Sequence, residues 1–183
     1  MRQDASNHYE RAFENWLIDR GVKFVRAEDH RRLGPAGATV KSFDFLLRAD
    51  NGKYVAAEVK GRTFRGTSLV GLKGLDCWVT LDDVEGLLLW QRALGENYVT
   101  VFIFAYRIVH VDVDLDGREV FCVGHDRYVF LAVRAEDYHR YMKRRSPRWR
   151  TVTLPAAEFR RYVVDPMDLL ADPAIARRPL HTD

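Results

Sequence analysis

Apolar residues along this chain first recur at helical spacing. Tyr9, Phe13, Trp16 and Leu17 stand at i, i+4, i+7 and i+8, one stripe of a helix predicted to open near Ser6 or Asn7 and to stop at Gly21. Val22 to Arg26 alternates as a strand should. After a polar loop through Pro35, two more strands are predicted, Ser42 to Ala49 and Lys53 to Lys60, joined by Asp50-Asn51-Gly52. Gly61 to Thr80, punctuated by four glycines, reads as a long mobile loop with a short strand near Cys77-Trp78-Val79. Leu81 to Leu94 is a second helix, opened by Asp82 or Asp83 and closed by Gly95. Tyr98 to Tyr106 is a strongly apolar strand of central type. Arg107 to Val113, a turn at Asp116-Gly117 and Glu119 to Val123 follow as a hairpin. Tyr128 to Val133 is a further strand, Ala135 to Lys143 a short helix, and Val152 to Leu154 an extra strand. The core order of helix, three strands, helix and strand is an α/β (α+β) plan.

Composition narrows the class. Of 183 residues 47% are apolar, enough to bury a core, which excludes a disordered chain. A net charge of +3 permits a nucleic-acid partner without demanding one. Cys77 and Cys122 fit neither a zinc spacing nor a disulfide framework, so a reducing compartment is expected. No apolar run reaches the roughly 18 residues of a membrane span, and Met1-Arg2-Gln3-Asp4 does not read as a leader. The expectation is a cytoplasmic protein with no membrane partner.

The chemistry lies in Ser42-Phe43-Asp44-Phe45 and Ala57-Glu58-Val59-Lys60. Glu58 and Lys60 are two apart on a strand and share a face. A three-residue loop at Asp50, Asn51 and Gly52 pairs Ala49 with Lys53 and sets Asp44 opposite Glu58, with Gly52 suited to the left-handed loop position. A two-residue Asn51-Gly52 turn would throw Asp44 to the other face. We favour the first, because only it explains an acid inside an otherwise apolar strand. Two adjacent carboxylates repel, and burial disfavours their charges; a hard divalent cation, magnesium or manganese in its place, removes both penalties. Lys60 beside such an ion could orient or deprotonate water, or stabilise charge on a phosphate. The plain alternative is an exposed Glu–Lys ladder pair on a strand.

Two helical residues join these. On a wheel of about 100° per residue, Glu10 falls at about 100° from Tyr9, at the stripe's edge, and Glu14 at about 140°, further toward solvent. Gln91 sits inside the second helix's stripe of Val84, Leu87, Leu88 and Leu94. It reads equally as an active-site amide or as a core glutamine bonded to backbone.

These residues together resemble the PD-(D/E)XK nuclease superfamily: a helix with Glu10, a strand with Asp44, a strand with Glu58-x-Lys60, a helix with Gln91, then an apolar strand. The resemblance covers roughly Asn7 to Tyr106. The helix end Leu17-x-x-x-Gly21 also resembles archaeal Holliday-junction resolvases, and His8-Tyr9-Glu10-Arg11-Ala12-Phe13-Glu14 resembles the bacterial group named HYExAFE. The implied fold is a restriction-endonuclease-like core of order αβββαβ, a mixed central sheet flanked by helices with a C-terminal β-hairpin and helix extension. One domain over residues 1–183 is expected, with its core at about 7–106 and the extension at about 107–183. The implied activity is metal-dependent phosphodiester hydrolysis, as a DNA endonuclease. Asp44, Glu58 and Glu10 would bind magnesium, Lys60 would act on the attacking water, and Gln91 would complete the catalytic set. A catalytically inactive module that binds nucleic acid or a protein partner is the alternative, and a homodimer or partner protein is left open. Ser42-Phe43 departs from the proline that often precedes the aspartate, and Gly95 breaks the Gln-x-x-x-Tyr pattern of exonuclease relatives.

From Arg140 to Arg161 eight basic residues face a single acid, Glu158, with Tyr138, Tyr141 and Trp149 nearby. Lys143, Arg144, Arg145, Arg148, Trp149 and Arg150 are candidate nucleic-acid contacts, with Arg62 and Arg65 after the catalytic strand. A solvated helix face is the alternative. The basic loop of His30, Arg31 and Arg32 could reach the same backbone. Asp112-x-Asp114-x-Asp116-Gly117 mimics a calcium loop, but Val123 occupies the place of its bidentate glutamate, so a hairpin with alternating acids is expected.

Overall fold

The computed structural model describes residues 3–27 and 42–172. Helix α1 (Gln3–Asp19) starts earlier than predicted and ends as predicted at Gly21. The Gly21 and Val22 amides donate to the Ile18 and Leu17 carbonyls, and Gly21 takes the left-handed φ of 65° that this cap requires. The stripe of Phe13, Trp16 and Leu17 is buried.

A six-stranded sheet lies beneath it in the order β1-β2-β3-β5-β7-β6: β1 (Phe24–Arg26), β2 (Phe45–Arg48), β3 (Tyr54–Phe64), β5 (Tyr98–Ile108), β6 (Phe121–Val123) and β7 (Asp126–Arg134). Only β3 and β5 run parallel, joined by the crossover through helix α2 (Leu81–Leu94), so the sheet is mixed. β7 lies between β5 and β6, so the main sheet continues beyond Tyr106 into the C-terminal part of the chain.

Strand alternation assigns each face. On β3 and β5, Val55, Ala57, Val59, Val101 and Ile103 pack toward α1 and α5 (Pro166–Ala171). Phe64, Phe102, Phe104 and Tyr106 pack toward α2, α3 (Ala135–Tyr141) and α4 (Ala156–Tyr162). Each buried aromatic or branched side chain contributes about 1.5–3 kcal/mol, and two packed faces form a three-layer sandwich. Glu58 and Lys60, in phase with Phe64, therefore face α2.

A small second sheet, β4-β9-β8, is built from β4 (Val79–Thr80), β8 (Lys143–Ser146) and β9 (Thr151–Thr153). Two expectations are corrected around it. β3 runs through Gly61 to Phe64, and the rest of the predicted mobile loop buries Leu69, Leu72 and Cys77 around a 3-10 turn at Val70–Leu72. The helix after β7 stops at Tyr141, and Lys143–Ser146 is a strand. The Tyr138 hydroxyl donates to the Cys77 and Val152 carbonyls, pinning this sheet to the core. The predicted hairpin of Arg107 to Val123 is also absent: β5 ends at Ile108 and β6 pairs with β7. Among the described residues no helix is long and apolar enough to cross a membrane.

Candidate active site

The β2–β3 turn sets the site. The Ala49 amide donates to Lys53 O at 2.8 Å, and Gly52, at φ 82°, donates to Ala49 O at 3.0 Å, closing the three-residue loop. Phe45 pairs with Ala57, so Asp44 falls in register opposite Glu58. The Asp44 amide still donates to Ala57 O, while Asp44 Oδ2 accepts the Val59 N–H at 2.7 Å. A side-chain oxygen thus takes the ladder donor that a backbone carbonyl would take, and β2 starts only at Phe45, not at Ser42.

Burial and the neighbouring Glu58 push the Asp44 carboxyl up to about 8; the Val59 bond and Lys60 oppose this, and Glu10 adds to it. Lys60 Nζ stands 2.8 Å from Glu58 Oε1 and 2.9 Å from Asp83 Oδ2, and both acids are buried. Asp83 joins the site as a residue that sequence reasoning placed only at a helix start. It is the third residue of α2, in a capping box whose Asp83 amide donates to Thr80 Oγ1 and whose Asp83 Oδ2 accepts the Thr80 amide. The Thr80-x-x-Asp83 spacing is readable as that box. Its ion pair with Lys60 depends on docking α2 on β3, which no local spacing encodes.

Glu10 comes from α1, across the sheet from α2, and its charge still bears on Asp44. Its Oε2 pairs with Arg26 at 2.9 Å and Glu14 Oε2 with the same guanidinium at 3.0 Å, so the two acids separated on the wheel share one partner. Gly61 sets how closely α1 approaches: a Cβ there would stand 2.0 Å from the Tyr9 ring, and the Tyr9 hydroxyl meets Thr63 Oγ1 at 3.2 Å.

Gln91 is not brought to these groups. Its Nε2 donates to Tyr98 O at 2.5 Å and its Oε1 accepts the Thr100 N–H at 2.8 Å, so the amide splices α2 to the start of β5. The catalytic assignment of Gln91 gives way to the backbone-bonded one. Arg62 is likewise committed: it donates to the Gly61 and Trp78 carbonyls, lies 4.1 Å from the Trp78 ring centroid, and burial lowers its pKa. Arg65 is exposed. Lys143, Arg144, Arg145, Arg148, Trp149 and Arg150 are all exposed on the β8–β9 hairpin rather than on a helix face. Arg145 also approaches the Trp78 ring, at 5.2 Å, and Arg150 pairs with Asp82 at 2.9 Å. His30, Arg31 and Arg32 lie outside the described residues. The Asp112–Gly117 segment is a loop in which Asp114 bridges to Ser68 and Arg118 pairs with Asp116.

Asp44 and Glu58 suit a hard cation chemically: the two acids stand opposite one another in register and supply oxygen ligands, and burial, with the Glu58 charge beside it, raises Asp44. As placed, no three His, Cys, Asp or Glu side chains among the described residues group around a ready cation position.

No family model matches the sequence, and no curated protein matches it. Among solved structures the chain is similar to Hjc of Archaeoglobus fulgidus, a Holliday junction resolvase from an archaeal hyperthermophile, with a TM-score of 0.51 and 14% identity. The match covers 90% of this chain and 98% of that one. The mixed sheet flanked by helices is a restriction-endonuclease-like fold.

Proposed function

We propose that this chain hydrolyses phosphodiester bonds in nucleic acid with a divalent cation, as an endonuclease acting on DNA. The observation that carries the reading is the register that sets Asp44 opposite Glu58, with Lys60 on the same face of β3. Burial adds to it, because the charge of Asp44 is disfavoured up to about pH 8. A carboxyl pair at that depth is an energetic deficit that a cation removes. Asp44 and Glu58, with Glu10 in support, would hold magnesium or manganese, which would stabilise charge on the scissile phosphate and acidify a bound water. The Lys60 ammonium would orient the attacking water or stabilise the developing oxyanion by hydrogen bonding, and Asp83 holds the ammonium from the α2 side. The exposed arginines of the β8–β9 hairpin supply charge for the phosphate backbone. The likeness to an archaeal resolvase supports nuclease chemistry on DNA.

The test is supercoiled plasmid incubated with magnesium or manganese, beside a chelator control and Asp44→Asn. Nicked or linear product that needs metal and vanishes in the variant is the expected result. A second reading, a nucleic-acid-binding module without turnover, draws on the ion pairs already made by Lys60 and Glu10. It predicts intact plasmid and metal-independent retardation of the DNA.

A further inference from the structure

The carboxylates and Lys60 account for bond cleavage but not for the tip of the basic hairpin. Between Lys143 and Arg150 the chain carries five basic residues and no acid besides. At the tip Trp149 leaves 68% of its surface exposed, the one aromatic among the large exposed apolar side chains of the described residues. The Arg148 guanidinium lies 5.2 Å from its ring centroid.

This tip is held to the candidate active site. Within it, Ser146 Oγ accepts the Trp149 N–H at 3.4 Å and Pro147 O accepts the Arg150 N–H at 3.3 Å. Arg150 takes a left-handed φ of 46°, its carbonyl accepts the Leu81 N–H at 2.8 Å, and its guanidinium pairs with Asp82. β9 pairs with β4, setting Thr151 opposite Thr80, the N-cap of α2. Trp149 is therefore one residue away from an anchor on the first turn of α2, the turn whose Asp83 holds Lys60.

With the backbone fixed in this way, only the two side-chain torsions of the ring are left to order when it meets a ligand. Paired duplex offers it phosphates and groove edges, while its base faces are hidden by stacking. An unpaired base exposes its face, and stacking on an aromatic side chain is sequence-tolerant and strong. We infer that Trp149 is a stacking platform for an unpaired base, and that the substrate class is DNA interrupted by a gap or bulge close to the cleaved bond. The inference rests on the nucleic-acid reading above, and the basic residues around the ring favour DNA over an apolar protein partner.

Binding is measured in chelator with two short duplexes, one fully paired and one carrying 2-aminopurine at a single-nucleotide bulge, and with a fully paired four-way junction. The wild type is expected to prefer the bulged probe and to quench its fluorescence. Trp149→Ala should reduce that preference about ten-fold, and Trp149→Phe should keep most of it. Equal weakening on both probes, or a wild type that does not distinguish bulged from paired DNA or from a fully paired four-way junction, overturns the inference. Plasmid cleavage without that preference overturns it alone; a wild type that neither binds nor cuts any DNA overturns the nuclease reading as well.

Discussion

Helix α2 meets polar groups of the sheet at both of its ends, and the two ends resolve them differently. Near its C-terminus Gln91 gives one donor to Tyr98 O and one acceptor to the Thr100 amide, a neutral exchange with both partners satisfied. Near its N-terminus Glu58 and Asp83 pair with Lys60, and Asp44, bonded to the Val59 amide, is held where its charge is disfavoured. Both ends place polar groups against an apolar stripe. A matched amide fixes the packing of helix on strand, whereas unbalanced carboxyl groups retain a deficit that a cation can relieve.

The largest way to test this contrast is Asp44→Asn, which keeps an acceptor for the Val59 amide but removes the charge. Metal-dependent cleavage should fall about 10³-fold or more in a plasmid assay, of the order seen when a key electrostatic group is removed. The same variant reports on stability. The Asp44 carboxyl titrates at 3.8 ordinarily and at about 8 in the fold, so the folded state holds an extra proton between those values. Metal-free wild type should therefore lose stability as pH rises from about 4 to about 8, and Asp44→Asn should lose far less; urea titrations across that range measure it.

At the other end, Gln91→Ala should cost about 2–3 kcal/mol of stability by stranding the Tyr98 carbonyl and Thr100 amide, while the folded variant cleaves at the wild-type rate. A cleavage defect larger than its loss of folded protein would return Gln91 to the catalytic set. Smaller still, Gly61→Ala should cost about 1–3 kcal/mol by pushing the Tyr9 ring and α1 away from β3, read as a lowered melting temperature.

Local chemistry made much of this legible. Gly52 in a three-residue loop fixes the register that faces Asp44 toward Glu58, and the stripe of α1 ends in the glycine cap it advertises. What escaped depends on distant partners. Gly61 reads as a breaker because the Tyr9 ring that fills its missing side chain lies on another element. Lys143–Ser146 has no apolar alternation to mark a strand, and only its pairing with β9 makes it one. Asp83 is legible as a helix-start acid but not as a partner of Lys60, and the bonds of Gln91 reach a strand that starts after the helix has ended.

The most direct measurement is a calorimetric titration of manganese into wild type and Asp44→Asn at several pH values, in buffers of different ionisation enthalpy. Binding to the wild type is predicted to strengthen about tenfold per pH unit below about 8 and to release close to one proton, with the variant binding far more weakly and releasing none. Equal, pH-independent binding to both proteins, or no binding to the wild type at any pH, would contradict it.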